Sequence, residues 1–166
     1  MMFDQPQFNP IRRKEALLRF SREHHYGLLL IWKIREGIKK NIPPERISDF
    51  ILYFFEHDLK EHFHKEEVDL FARIESNNEL IQTALKEHQQ LTAMVEQLRK
   101  DKKNTELITK FSDELDKHIR FEERTLFNEI QNSLSDKDLI ELEATHLVKP
   151  YDVSDDWDDK FWIITT

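Results

Sequence analysis

The sequence predicts an all-α protein, an antiparallel up-down-up-down four-helix bundle with a short extra C-terminal helix and an extended tail. Three observations carry this expectation. Only two glycines occur, Gly27 and Gly37, and no proline falls between Pro44 and Pro150, so the middle of the chain lacks the residues that hairpin turns need. Apolar residues recur three and four positions apart through long segments. The breaks between those segments are short and polar, which makes consecutive helices pack side by side.

The first helix is expected after Pro10, through EALLRFSREHHYGLLLIWKIREGIKK, ending near Asn41. Pro43 and Pro44 suit the first turn of a second helix, where a missing N–H costs nothing, and that helix should run to about Glu75. Ser76, Asn77 and Asn78 interrupt the pattern, and a third helix covers 79–100. After the polar DKKN turn, Asn104 or Thr105 can cap a fourth helix that continues to about Asn132. Ser135, with Asp138 three residues on, is an analogue of a capping box and opens a short fifth helix over 136–147. The division that follows is an arm at 1–13, a bundle at 14–147 and an acidic, aromatic tail at 148–166. That tail combines five Asp with Trp157, Phe161 and Trp162 and reads as an extended arm covering one side of the bundle, or else as a partner-binding strand.

At 166 residues the chain suits a single domain with one core. A net charge of -8 argues against a nucleic-acid surface or an anionic membrane as partner. With no cysteine, disulfides, thiolate metal sites and cysteine nucleophiles are excluded, so any metal must be held by nitrogen and oxygen. The start, MMFDQPQFNPIRRK, lacks the apolar stretch of a secretory signal, and no run of about 18 apolar residues follows, so the expected location is the cytoplasm.

Phe55, Leu59, Leu70 and Ile74 mark the inward stripe of the second helix, and Phe111, Leu115, Leu126 and Ile130 that of the fourth. The centres of the two stripes are occupied by His62 with Glu66 and by His118 with Glu122. Four residues at about 100° each return to within about 40° of the first, so each His and Glu share the inward face. Glu67 and Glu123 point about 100° further round, toward a flank. The segments also match each other, HFHKEEVDLFARI at 62–74 and HIRFEERTLFNEI at 118–130, and REH at 22–24 echoes KEH at 86–88. The chain therefore reads as two copies of a helical hairpin, each giving one His from its first helix and a His plus Glu from its second.

A single HxxxE on a helix is ordinarily a surface ion pair. Two copies centred in apolar stripes, with a His on each remaining long helix, are a different matter. Two inward carboxylates facing each other repel, and buried imidazoles need partners; a cation between them resolves both problems. Four His and two Glu suit iron, manganese or zinc. On the first helix the alignment with KEH favours His24, while spacing toward Leu28 and Ile31 lets His25 compete. Phe63 and Ile119 are expected to pack near the metal, and His57, His64 and His146 to lie at the surface.

In these residues the chain resembles the hemerythrin-like family, also called HHE cation-binding domains, over roughly residues 14–132. The resemblance implies a four-helix bundle around a non-haem centre of two iron ions, with His24, His62, Glu66, His88, His118 and Glu122 as ligands and Glu66 and Glu122 bridging. It also implies that Glu67, Glu123 or Tyr26 orients the imidazoles. There are two departures. Oxygen-carrying hemerythrins have HxxxH in the third helix, whereas Thr92 here follows His88. Their fourth-helix acid stands five residues after the His, where this chain has Glu123, while Glu122 has the four-residue spacing of other members. The missing imidazole points away from reversible O2 carriage and toward oxidation by O2, sensing of O2 or NO, or holding and releasing iron. Two other classes of function stand beside this. One is an enzyme, an oxidase, peroxidase or repair activity on NO-damaged iron centres, for which the sequence supplies no separate acid or nucleophile. The other is a metal-free interaction bundle in which the His–Glu pairs are buried polar contacts.

Overall fold

Residues 13–145 and 150–163 are described by a computed structural model of the chain. The expectations for residues 1–12, for His146 and for the end of the fifth helix at 146–147 lie outside the described residues. Among the described residues every regular element is helical and none is a strand. Helix α1 spans Glu15–Lys39, and α2 (Pro44–Phe54) leads through a π turn at Phe55–Leu59 into α3 (Lys60–Lys65). A second π turn, Glu66–Leu70, and a short 3-10 segment, Phe71–Arg73, complete that rod. Helix α4 is Glu79–Lys100, and α5 (Thr105–Phe121) continues through a π turn at Glu122–Leu126 into α6 (Phe127–Ser133). A short α7, Asp136–Ala144, follows, and the tail holds one 3-10 turn, Val153–Asp156.

The boundaries follow local chemistry. Asn78 accepts from the N–H of Leu80 and Ile81, Asn104 from that of Leu107, and Ser135 from that of Asp138, so each of these helices starts on a side-chain cap. Helix α1 ends where Asn41 adopts φ 55, with Ile42 N–H donating to Gly37 O at 3.0 Å and Asn41 N–H to Ile38 O at 3.1 Å. That pair of bonds closes a Schellman-type end, and Asn is among the few residues with a side chain that enter the left-handed region readily. Pro44 stands at the first turn of α2, as its fixed φ and missing N–H allow.

The second and fourth rods differ from the uninterrupted α-helices expected of them. Each widens into a π turn that begins at its inward acid, Glu66 or Glu122. Where these turns end, the adjacent pairs Leu70 with Phe71 and Leu126 with Phe127 are all buried, although successive residues of a regular helix diverge by about 100°. Such widened turns recur at functional sites.

Helix α1 packs against α2, α5 and α7, and α4 packs against α2 and α5. The apolar interior falls into two clusters. One gathers Leu30, Ile34, Phe50, Phe54, Phe111 and Leu115, and the other Leu17, Phe20, Ile81, Leu126, Phe127 and Ile130. Along every rod the inward polar residue sits between the two: His24 between Phe20 and Leu30, and His118 between Leu115 and Leu126. The tail joins the first cluster through buried Val153, Phe161 and Trp162, so its covering role is the one observed. Tyr53 donates to Val153 O at 2.9 Å, Arg46 meets Asp159 through two nitrogens, and Lys33 lies 4.6 Å from the centre of the Trp162 ring. Gly37 makes room for this arrangement, because a Cβ there would come within 2.7 Å of the Phe161 ring.

Candidate metal centre

His24 comes from α1, His62 from α3, His88 from α4 and His118 from α5, while Glu66 and Glu122 open the two π turns. All six are buried. They form two groups that share both carboxylates: His24 and His62 with Glu66 and Glu122, and His88 and His118 with the same acids. In each group one nitrogen or oxygen of every side chain lies within 4.8 Å of the others. His25 is exposed, as are His57 and His64.

The four imidazoles all turn Nε2 toward the central acids. His62 Nε2 lies 3.0 Å from Glu66 Oε1, and His118 Nε2 lies 3.0 Å from Glu122 Oε1, the same contact in both repeats. His24 Nε2 is 3.0 Å from Glu122 Oε1, and His88 Nε2 is 3.3 Å from Glu66 Oε1. Of these four contacts only that of His24 with Glu122 is a hydrogen bond. Nε2 of His62, His88 and His118, both oxygens of Glu66 and Oε2 of Glu122 are buried without a hydrogen-bond partner. Orphaned polar atoms in a buried site call for an explanation, and a nitrogen and oxygen donor set of this kind fits a first-row divalent cation.

Each Nδ1 faces outward onto a second carboxylate. Glu23 takes His62 at 2.5 Å, Glu87 takes His118 at 2.9 Å, Glu123 takes His24 at 2.7 Å, and Glu67 stands 3.9 Å from His88. Within each hairpin the acid of the first helix serves the His of the second; between hairpins the reverse holds. An Nδ1–carboxylate contact fixes the ring and leaves Nε2 free as a ligand. Arg19 secures Glu23 at 2.9 Å and Arg13 secures Glu123 at 3.1 Å. Glu67 and Glu123 were expected as orienting groups. Tyr26 is not one of them, because its hydroxyl donates to Pro150 O at 3.3 Å. Glu23 and Glu87 escaped the sequence reading, although both stand in the echoed REH and KEH.

Charge follows this geometry. Burial works against a charged imidazole, yet Glu66 and Glu23 hold His62 well above its ordinary range, and Glu122 and Glu87 raise His118 to about 10. His24 rises beside Glu122 and Glu123, and His88 beside Glu66 and Glu67, again against burial. Burial alone would push Glu122 up, but His118 and His24 keep it well below the usual carboxylate range. Glu23, also opposed by burial, falls to about 2 through His62 and Arg19. A cation bound between these side chains takes the place of imidazole protons, since only neutral imidazole ligates.

Aromatic rings wall the cluster. Phe63 stacks on His88 at 4.1 Å between centroids, and Phe127 stacks on His24 at 5.2 Å. Leu59, Phe63, Leu115 and Ile119 close one side beside Gly27 and leave no space for a water. At the position of the absent fifth imidazole, the Thr92 hydroxyl donates to His88 O at 2.8 Å.

The described residues form a helical domain in which two buried His/Glu groups, sharing their acids, could hold metal ions. The family described as the hemerythrin HHE cation binding domain matches residues 16–130, well over half of the chain, and the protein belongs to that family. Comparison with curated proteins and with solved structures returned no match. No helix among the described residues is long and apolar enough to cross a membrane.

Proposed function

We propose that the protein is a non-haem di-iron protein, an antiparallel up-down-up-down bundle in which Glu66 and Glu122 bridge two ions. His24 and His62 complete one site, and His88 and His118 the other. The observation that carries this reading is the convergence of buried, unpartnered Nε2 and carboxylate oxygens, with an acid behind each ring. Bound iron supplies electron exchange and affinity for a small diatomic ligand. The chain's own residues orient the imidazoles through Glu23, Glu67, Glu87 and Glu123, and exclude water through Leu59, Phe63, Leu115 and Ile119. Thr92 in place of a further imidazole leaves six protein ligands for two metals, which favours a response to O2, NO or iron supply over reversible O2 carriage.

Iron analysis of the purified chain after anaerobic reconstitution tests this. Two irons per chain, with a change in near-ultraviolet absorption on admitting air or NO, is the expected result. Much less than one iron per chain sinks the reading, and tight stoichiometric zinc or manganese with no iron redirects it to a redox-silent cation site.

A further inference from the structure

The pattern of outer carboxylates is broken at one place. Glu23, Glu87 and Glu123 approach their rings within hydrogen-bond distance, but Glu67 stops 3.9 Å short of His88. His88 therefore has neither ring nitrogen hydrogen-bonded, although it is 97% buried, with 3% of its surface exposed. The same residue lines a groove of about 570 Å³ between the second rod and α4. Glu67, His64, Thr92 and Ala93 also line it, while Glu56 and Lys60 stand together in its wall at 3.6 Å. His64 is exposed, Glu67 is half-buried and His88 is buried, so the groove is lined by three side chains able to bind a cation, at increasing burial.

Resting on the metal-binding reading above, we infer that this groove is the way in and out for a divalent cation, and that the ion held by His88 and His118 exchanges through it while the other is retained. A ring whose outer carboxylate is distant is held less firmly, and loss of such support weakens metal affinity about 10–100-fold. The opposite site has no such weakness: Glu23 and Glu123 grip His62 and His24 and are themselves held by Arg19 and Arg13. Beside His88, the α4 side of the groove is lined by Gln89, Thr92, Ala93 and Glu96, with the small side chains of Thr92 and Ala93 one turn further along the helix.

The test uses the full chain loaded anaerobically with Fe(II), its iron counted, then mixed with excess ferrous chelator and followed by stopped flow. Two phases of one ion each are expected, the faster by about tenfold or more. His88→Ala should remove the fast phase and leave the slow one. Thr92→Phe should slow the fast phase about tenfold without changing the slow phase, and Ala93→Phe, at an exposed position, repeats the obstruction without touching the core. One common rate for both ions, or an unchanged fast phase in both folded groove variants, overturns the inference. A chain that takes up no iron overturns the metal-binding reading itself, a separate result.

Discussion

Glu23 sits beside His24 in the chain but gives its carboxylate to His62, across the interface between α1 and α3. Glu87 treats His118 in the same way. The two repeats thus reproduce a crossed support as well as a set of inward side chains. Glu23→Gln and Glu87→Gln, which keep size and remove charge, are each expected to weaken iron binding about 10–100-fold while leaving the helical content unchanged. Competition against a chelator of known affinity measures this, and unaltered binding in both variants would remove the orienting role.

The two groups share their acids but not their imidazoles, so substitutions should divide by site. His24→Ala and His118→Ala are each expected to lower the bound iron from two per chain to about one. Loss of both ions from either variant would mean that the sites do not form independently. The metal-free chains should suffer as well: removing one partner of a buried charge pair costs about 3–5 kcal/mol. Denaturant titration with chelator present reads that cost.

The metal-free chain should depend on pH in a stated direction. The pKa of His118 rises from 6.5 to about 10 on folding, so its contribution is complete below pH 6.5 and disappears as pH climbs toward 10. For Glu23, lowered from 4.5 to about 2, the contribution is complete above pH 4.5 and is lost on acidification toward 2. Thermal melts in chelator should therefore fall in Tm between pH 7 and 10. The iron-loaded chain should not follow that alkaline fall, and should instead release iron as pH drops, when protons reclaim the imidazoles.

The tail is part of the core. Phe161→Ala empties a buried aromatic position and is expected to cost about 3–5 kcal/mol. Gly37→Ala drives a methyl group toward the Phe161 ring and Ile47, and should cost about 1–3 kcal/mol. Deleting 150–166 should lower Tm with iron binding retained; an unchanged Tm would contradict the docking of the tail.

What could be read from the sequence had local signals. His62 with Glu66 and His118 with Glu122 lie one turn apart in repeats that match each other, and Asn104 and Ser135 announce helix starts by residue type alone. The role of Glu23 was not readable in that way, because its partner is 39 positions away on another helix. Nor did any residue signal the π turns, which show only as two adjacent apolar side chains reaching the interior together. The seating of Phe161 depends on a side chain that Gly37 lacks, and an absent atom leaves no periodicity to detect.

The ionic layer divides the apolar interior, and this bears on how the molecule comes apart. Of the two halves, the one closed by Val153, Phe161 and Trp162 is the larger, while the other is finished by Leu134 and Leu142 near the ends of α6 and α7. Cations held across all four rods, as proposed above, would weld the halves into one cooperative unit. Strip them out, and the smaller half should fray first, showing amide exchange at lower opening energies than the tail-sealed half. Iron would then set the number of independently opening units, and exposure of one end of the rod would itself report the metal supply.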